Sequence, residues 1–235
     1  MSSALRLDQL LSRFGYCSRR EAVGWLSAGR ITREGEPLQR SEQRVTPESV
    51  LIDGQPVEFP DGLLVMLHKP AGYACSHDPA EEPLIYDLLP PQWLRRNPGP
   101  ISVGRLDRET SGLLLITDDG ALSHRLTSPK HEVEKTYEVT VSTPFPDGLT
   151  ELFASGTLTL RGEAKACLPA RLEITGDHTA RLFLHEGKYH QVRRMFASQG
   201  CPVIALHRSA IGALTLGDLP EGHWRGISPA QLVTV

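Results

Sequence analysis

The chain has 235 residues, 40% hydrophobic and 23% charged, with a formal net charge of −3 and a pI near 6.3. This is ordinary globular composition, which excludes a mostly disordered chain, and no apolar run approaches the roughly 18 to 20 residues of a membrane-spanning helix. The opening MSSALRLDQLL lacks the basic-then-apolar order of a secretory signal, so the expected location is the cytoplasm.

Charge is unevenly spread at the start of the chain. Residues 1 to 33 hold six arginines against two acids, and residues 34 to 60 hold two arginines against six acids, so the first segment is expected to carry a basic face. Leu7, Leu10, Leu11 and Phe14 fall at i, i+3, i+4 and i+7, one stripe of a helix, with Gly15 where a C-terminal cap stands. Ser18-Arg19-Arg20-Glu21 has the spacing of a capping box and opens a second helix through Ala22, Val23 and Leu26 to Gly29. Arg19 and Arg20 then lie in its first turn, beside amides that attract phosphate. Short strands follow at Arg30 to Thr32 and Val50 to Val57, the latter folded at Asp53-Gly54. The stretch RLDQLLSRFGYCSRREAVGWLSAGRITREGEPL resembles a small RNA-binding domain named for a ribosomal small-subunit protein. Residues 1–60 are assigned to it, and Phe59-Pro60-Asp61-Gly62 is expected to link it to a second domain over 63–235.

Leu63 to Leu67 reads as an apolar strand running into His68-Lys69-Pro70-Ala71-Gly72. Residues 78 to 100 contain six prolines and are expected to form an irregular loop over a ligand, with one helical turn near Ile85 to Leu89. The stretch VGRLDRETSGLLLITDDG, residues 103 to 120, sets Asp107 between Arg105 and Arg108 ahead of a Thr110-Ser111-Gly112 turn and a buried strand at Leu113 to Ile116. Taken alone, Asp107 among arginines reads as a surface ion pair. Asp118-Asp119-Gly120 looks like a turn, from which a helix runs through Leu122 and Leu126 to Ser128-Pro129.

After the basic loop Lys130-His131, residues 135 to 141 alternate as a strand with Tyr137, Val139 and Val141 on one face. A helix near Asp147 to Ala154, a strand pair at Arg171 to Thr175 and Ala180 to His185, and a helix from Tyr189 to Gln199 follow. A buried strand, Val203 to Leu206, precedes His207-Arg208. Residues 185 to 208 carry four basic residues against one acid, a second cationic patch. Unequal helices between strands of mixed spacing indicate an α+β protein with a mixed, largely antiparallel sheet and flanking helices. Four scattered cysteines form no C-x-x-C pair, and the nine histidines form no metal-ligand pattern, so no metal is expected.

KPAG, VGRLDRETSGLLLITDDG, KTYEV, EGKYHQVRRMFASQG and LHRSAIG, in that order after the small domain, resemble the pseudouridine synthases, and within them the group that acts on small-subunit ribosomal RNA. The resemblance implies isomerisation of a uridine in 16S rRNA, at uridine 516, a reaction with no oxidation or group transfer and so no required cofactor. The RNA is expected within a small-subunit assembly particle, and a monomer is the default, since nothing in the sequence indicates an oligomer. It makes Asp107 the catalytic aspartate, Tyr137 the tyrosine packed against the target base and Arg193 the basic partner of the acid. Leu206, Arg194 and Lys69 are placed at the base pocket, and which of Arg193 and Arg194 meets Asp107 stays open, since the helical phase parts them by about 100°. Arg6, Arg19, Arg20, Arg105, Lys188 and Arg208 are expected to contact RNA phosphates. An arginine beside Asp107 favours the ionised carboxylate, which either attacks C1′ or takes a proton from C2′ to give a glycal. A uridine in folded RNA is reached only if it is flipped out, its base then stacking on Tyr137. Competing expectations are a synthase for the large-subunit 23S RNA and a non-catalytic assembly factor.

Overall fold

The computed structural model describes residues 3–127 and 133–232. The expected helix end at Ser128-Pro129 and the loop Lys130-His131 lie outside the described residues. No described helix is long and apolar enough to cross a membrane.

The first 57 residues build a small core of their own. Strand β1 (Leu5–Arg6) leads into helix α1 (Leu7–Arg13), followed by α2 (Ala22–Ser27) and β2 (Ile31–Arg33). Next come β3 (Glu36–Pro37), β4 (Arg44–Val45), β5 (Leu51–Ile52) and β6 (Gln55–Pro56). The stripe Leu7, Leu10, Leu11 and Phe14 is fully buried against Ala22, Leu26, Ile31 and Ile52. Both capping signals are present. The Glu21 carboxylate accepts from the Ser18 amide at 2.8 Å, and the Ser18 hydroxyl accepts from the Glu21 amide at 3.3 Å. Gly15 closes α1 in the left-handed region, with φ +77°.

The remainder centres on nine described strands. They are β7 (Leu64–Lys69), β8 (Ile101–Val103), β9 (Thr110–Thr117), β10 (Lys135–Val141), β11 (Arg171–Gly176), β12 (Thr179–Leu184), β13 (Val203–Ile211), β14 (Leu214–Thr215) and β15 (Trp224–Gly226). Helices α3 (Gly120–Thr127), α4 (Leu149–Ser155), α5 (Gln191–Ala197) and α6 (Pro229–Leu232) flank them. The order across the sheet is β11-β12-β10-β13-β9-β7-β15, with β14 on β13 and β8 on β9. Every pairing is antiparallel except β13 with β9, where Leu206, His207 and Arg208 run alongside Thr110, Ser111 and Gly112. Among the described strands the sheet is thus two antiparallel halves, β7-β8-β9 with β15 and β10-β11-β12, joined by β13.

The two halves have separate cores. Val139, Val141, Leu182 and Leu184 pack under Phe153 of α4 and Val192, Met195 and Phe196 of α5. In the other half Leu114 and Ile116 face one core while Leu113 and Leu115 face another, which explains the unbroken apolar run in the sequence. Tyr137 packs against a core of each half and marks the seam. At that seam Gly112 has φ +116°, and a Cβ on it would stand 2.3 Å from the Arg208 carbonyl oxygen, so only glycine lets β9 and β13 approach.

Residues 78–100 are irregular, as expected, with the expected helical turn at Ile85–Leu88. They form a brace held down by Ile85, Tyr86, Leu89 and Trp93, which are buried against β7 and β9. Apolar anchors hold a proline-rich segment here because each kink returns one of them to the core. The brace also grips the first core. The buried Arg96 donates through Nε to Asp118 at 2.8 Å and through Nη1 and Nη2 to the carbonyls of Glu58 and Phe59, each at 3.2 Å, and its guanidinium lies over the Phe14 ring. Trp93 donates to the Glu58 carboxylate at 2.7 Å, and a Cβ on Gly15 would stand 2.2 Å from the Gln92 carbonyl oxygen. Asp118, expected only in a turn, is the acid at this junction.

Candidate active site

The loop from Gly104 to Glu109 delivers one carboxylate to the seam. Its path is set from below by Lys69, whose side chain is fully buried and whose ammonium donates to the carbonyls of Pro70 at 2.9 Å, Arg108 at 3.0 Å and Thr110 at 2.8 Å. Burial lowers the Lys69 amine from an ordinary 10.5 to about 8, with the charges of Cys75, Glu109 and Asp107 pulling the other way. Arg108 clamps the loop from outside, donating to the carbonyls of Gly72 and Glu81. Asp107 closes a turn by accepting the Thr110 amide on its carbonyl at 3.0 Å, which leaves its carboxylate partly exposed.

Helix α5 from the other half meets that carboxylate. The Arg193 Nε stands 3.8 Å from one Asp107 oxygen and the His190 Nε2 stands 3.4 Å from the other. Arg193 also donates through Nη2 to the Glu109 carbonyl at 3.0 Å and through Nη1 to the Val203 carbonyl at 3.3 Å. It therefore ties the acid's loop, α5 and β13 together. His190, at the N-terminal end of α5, takes φ +46°, and its ring stacks on Tyr189 at 3.9 Å between centroids.

Asp107, Thr110, Tyr137, Leu184, Val192 and Leu206 line a cleft of about 90 Å³. It opens into a wider mouth of about 540 Å³ bordered by Cys75, Arg105, Arg108, Lys188 and Tyr189. A carboxylate flanked by an imidazole and a guanidinium, in a cleft shared with an aromatic ring and apolar side chains, can carry out nucleophilic or base chemistry on a flat ligand. Among the described residues no group of three or more His, Cys, Asp or Glu side chains is arranged to hold a metal ion.

Several expected placements are corrected. Arg194 turns away from the cleft, donating to the Glu163 carboxylate at 2.9 Å and to the carbonyls of Tyr189 and Arg161 at 2.9 and 2.6 Å, as the phase of a helix requires once Arg193 faces Asp107. Lys69 lies beneath the loop and lines none of the cleft. Arg208 is buried at 4% exposure and donates to the Leu113 carbonyl at 2.8 Å, so it is closed to a surface phosphate. Lys188 sits 3.9 Å from both Glu163 and Glu186. Arg6 and Arg19 share Asp8, while Arg20 and Arg105 are exposed, the latter at the cleft mouth.

His190 had no assigned role in the sequence; it stands just outside α5 with a left-handed backbone, and its ring reaches Asp107 from there. Gln191 was also missed. It is buried, donating to Glu186 at 2.6 Å and accepting the Lys188 amide at 2.8 Å, which fixes the turn into α5.

Comparison with known proteins gives two family matches, RNA pseudouridylate synthase over residues 63–198 and S4 domain over residues 5–51. The chain is 40% identical over 98% of its length to the ribosomal small subunit pseudouridine synthase A of Pasteurella multocida, covering 99% of that protein. It is 39% identical to the protein of that name from Escherichia coli strain K12, covering 98% of this chain and 100% of that one. A solved structure described as a pseudouridylate synthase superposes with a TM-score of 0.68 at 37% identity, over 98% of this chain and 99% of that one.

Proposed function

The chain belongs to the RNA pseudouridylate synthase family, and from that membership we propose that it isomerises one uridine of 16S ribosomal RNA, uridine 516, to pseudouridine. The N1 to C1′ bond breaks, the uracil rotates, and C5 bonds to C1′. C5 loses a proton and N1 gains one, so atoms balance with no oxidant, group donor or cofactor.

Asp107 is the reacting carboxylate, acting as nucleophile at C1′. The observation that carries this role is its pair of contacts, 3.4 Å to His190 and 3.8 Å to Arg193, in a cleft that Tyr137 and Leu206 also line. A recessed acid reaches only a nucleotide flipped out of its helix, whose base then rests on Tyr137 above Leu206. Arg105 at the mouth and Arg20 on the first core offer phosphate contacts.

The test is to incubate the protein with unmodified 16S RNA, with partly assembled small-subunit particles and, separately, with unmodified 23S RNA, and to locate pseudouridine by chemical sequencing. One modified site, in 16S RNA, is expected. Modification confined to 23S RNA would move the substrate to the large subunit, and no modification of either RNA would overturn the reading.

A further inference from the structure

Tyr189 is 69% exposed and is the one aromatic ring among the exposed large apolar side chains of the described residues. It is also stacked on a neighbour. Its ring lies nearly parallel to the His190 imidazole, 15° between planes, and its carbonyl accepts from Arg194 at 2.9 Å. His190 in turn has its backbone fixed at φ +46° and its Nε2 3.4 Å from Asp107. The pair forms a two-ring shelf that begins at the reacting carboxylate and ends in solvent, on the mouth that Arg105, Arg108 and Lys188 also border.

A solvent-facing aromatic surface beside cations fits a planar ring on an anionic backbone. Flipping a uridine also strips its neighbours of a stacking partner, and an aromatic side chain offsets that loss with any base, since every base has a π face. Resting on the reading that the substrate is RNA, we infer that Tyr189 and His190 form a stacking shelf for the nucleobase next to the target uridine. The shelf reads the presence of a neighbouring base and not its identity.

The experiment compares wild type, Tyr189→Ala and Tyr189→Phe on the substrate RNA found by sequencing, rebuilt with a synthetic fragment that carries an abasic nucleotide at each position flanking the target in turn. Tyr189→Ala raises KM roughly ten-fold or more with kcat little changed, and Tyr189→Phe, which keeps the ring, restores KM. In wild type, one flanking abasic position imposes a KM penalty of similar size, and in Tyr189→Ala that position imposes none. An unchanged KM in Tyr189→Ala, or penalties that add independently, would overturn the shelf while leaving the enzyme reading intact. A wild-type protein that modifies no RNA would overturn both.

Discussion

The Asp107 carboxylate and the Arg193 guanidinium lie 3.8 Å apart across the seam between the two half-sheets, although one sits before β9 and the other in α5. Asp107→Asn keeps the shape of the acid and removes its charge. Pseudouridine formation should fall by roughly a thousand-fold or more, with thermal midpoint and RNA affinity nearly kept. Full activity in that variant, measured by chemical sequencing, would end the assignment.

Adjacent arginines should separate cleanly. Arg193→Lys keeps a charge but loses the fork that reaches both Asp107 and the Glu109 carbonyl, so kcat should drop about ten- to a hundred-fold. Arg194→Met breaks the Glu163 contact instead, costing about 1 kcal/mol of stability while kcat stays within a few-fold. Equal kcat losses in the two variants would contradict the geometry.

Tyr137→Phe asks what the ring does. If Tyr137 only stacks on the base, the variant retains substantial turnover, whereas a phenolic oxygen acting as base at C2′ predicts near-complete loss. Single-turnover rates with the modified-site assay decide between them.

Arg96→Met should destabilise the protein by about 3 to 5 kcal/mol, because Asp118 is left without its cation in a nearly closed site. The same change loosens the grip on the Glu58 and Phe59 carbonyls, so limited proteolysis should cut near residues 58 to 62 faster than in wild type. Denaturant melts with unchanged midpoint would refute the first expectation.

Lys69 supplies a pH dependence. Its folded-state value of about 8 lies below the ordinary 10.5, so between these the unfolded chain binds a proton that the folded protein has released. Stability from this group therefore rises as pH climbs from about 8 to about 10.5, and the cost of burying its charge is fully present below 8. Lys69→Met lacks that slope, so wild type should gain stability relative to the variant across the window. Urea midpoints at stepped pH measure it, and a constant gap is the contrary result.

Local signals were legible in the sequence wherever one element satisfied itself. The Ser18-Glu21 capping box, the Gly15 cap and the alternation at Tyr137, Val139 and Val141 all depend on neighbours within a few residues. What escaped depends on partners far along the chain. Arg208 has the look of a surface cation, and its place on β13 between Tyr137 of β10 and Gly112 of β9 buries it. Prolines at 79 to 100 signal irregular backbone, yet say nothing of Trp93 and Arg96 reaching a second core. His190 was hidden because its backbone conformation, and not its residue type, turns the imidazole to Asp107.

The insertion of β13 between β9 and β10 also dictates an order of assembly. Within the halves β7 and β9, or β10 and β12, lie closer in sequence than β9 and β13 do, and the strand that joins the halves is made after those four, from residues 203 to 211. Joining β9 to β13 spans almost a hundred residues, a slow closure compared with any hairpin in the molecule. A nascent chain that stops short of β13 can hold Asp107, Tyr137 and Arg193 and still lack the strand that brings their half-sheets together, so the cleft is completed only once β13, which ends at Ile211, has left the ribosome.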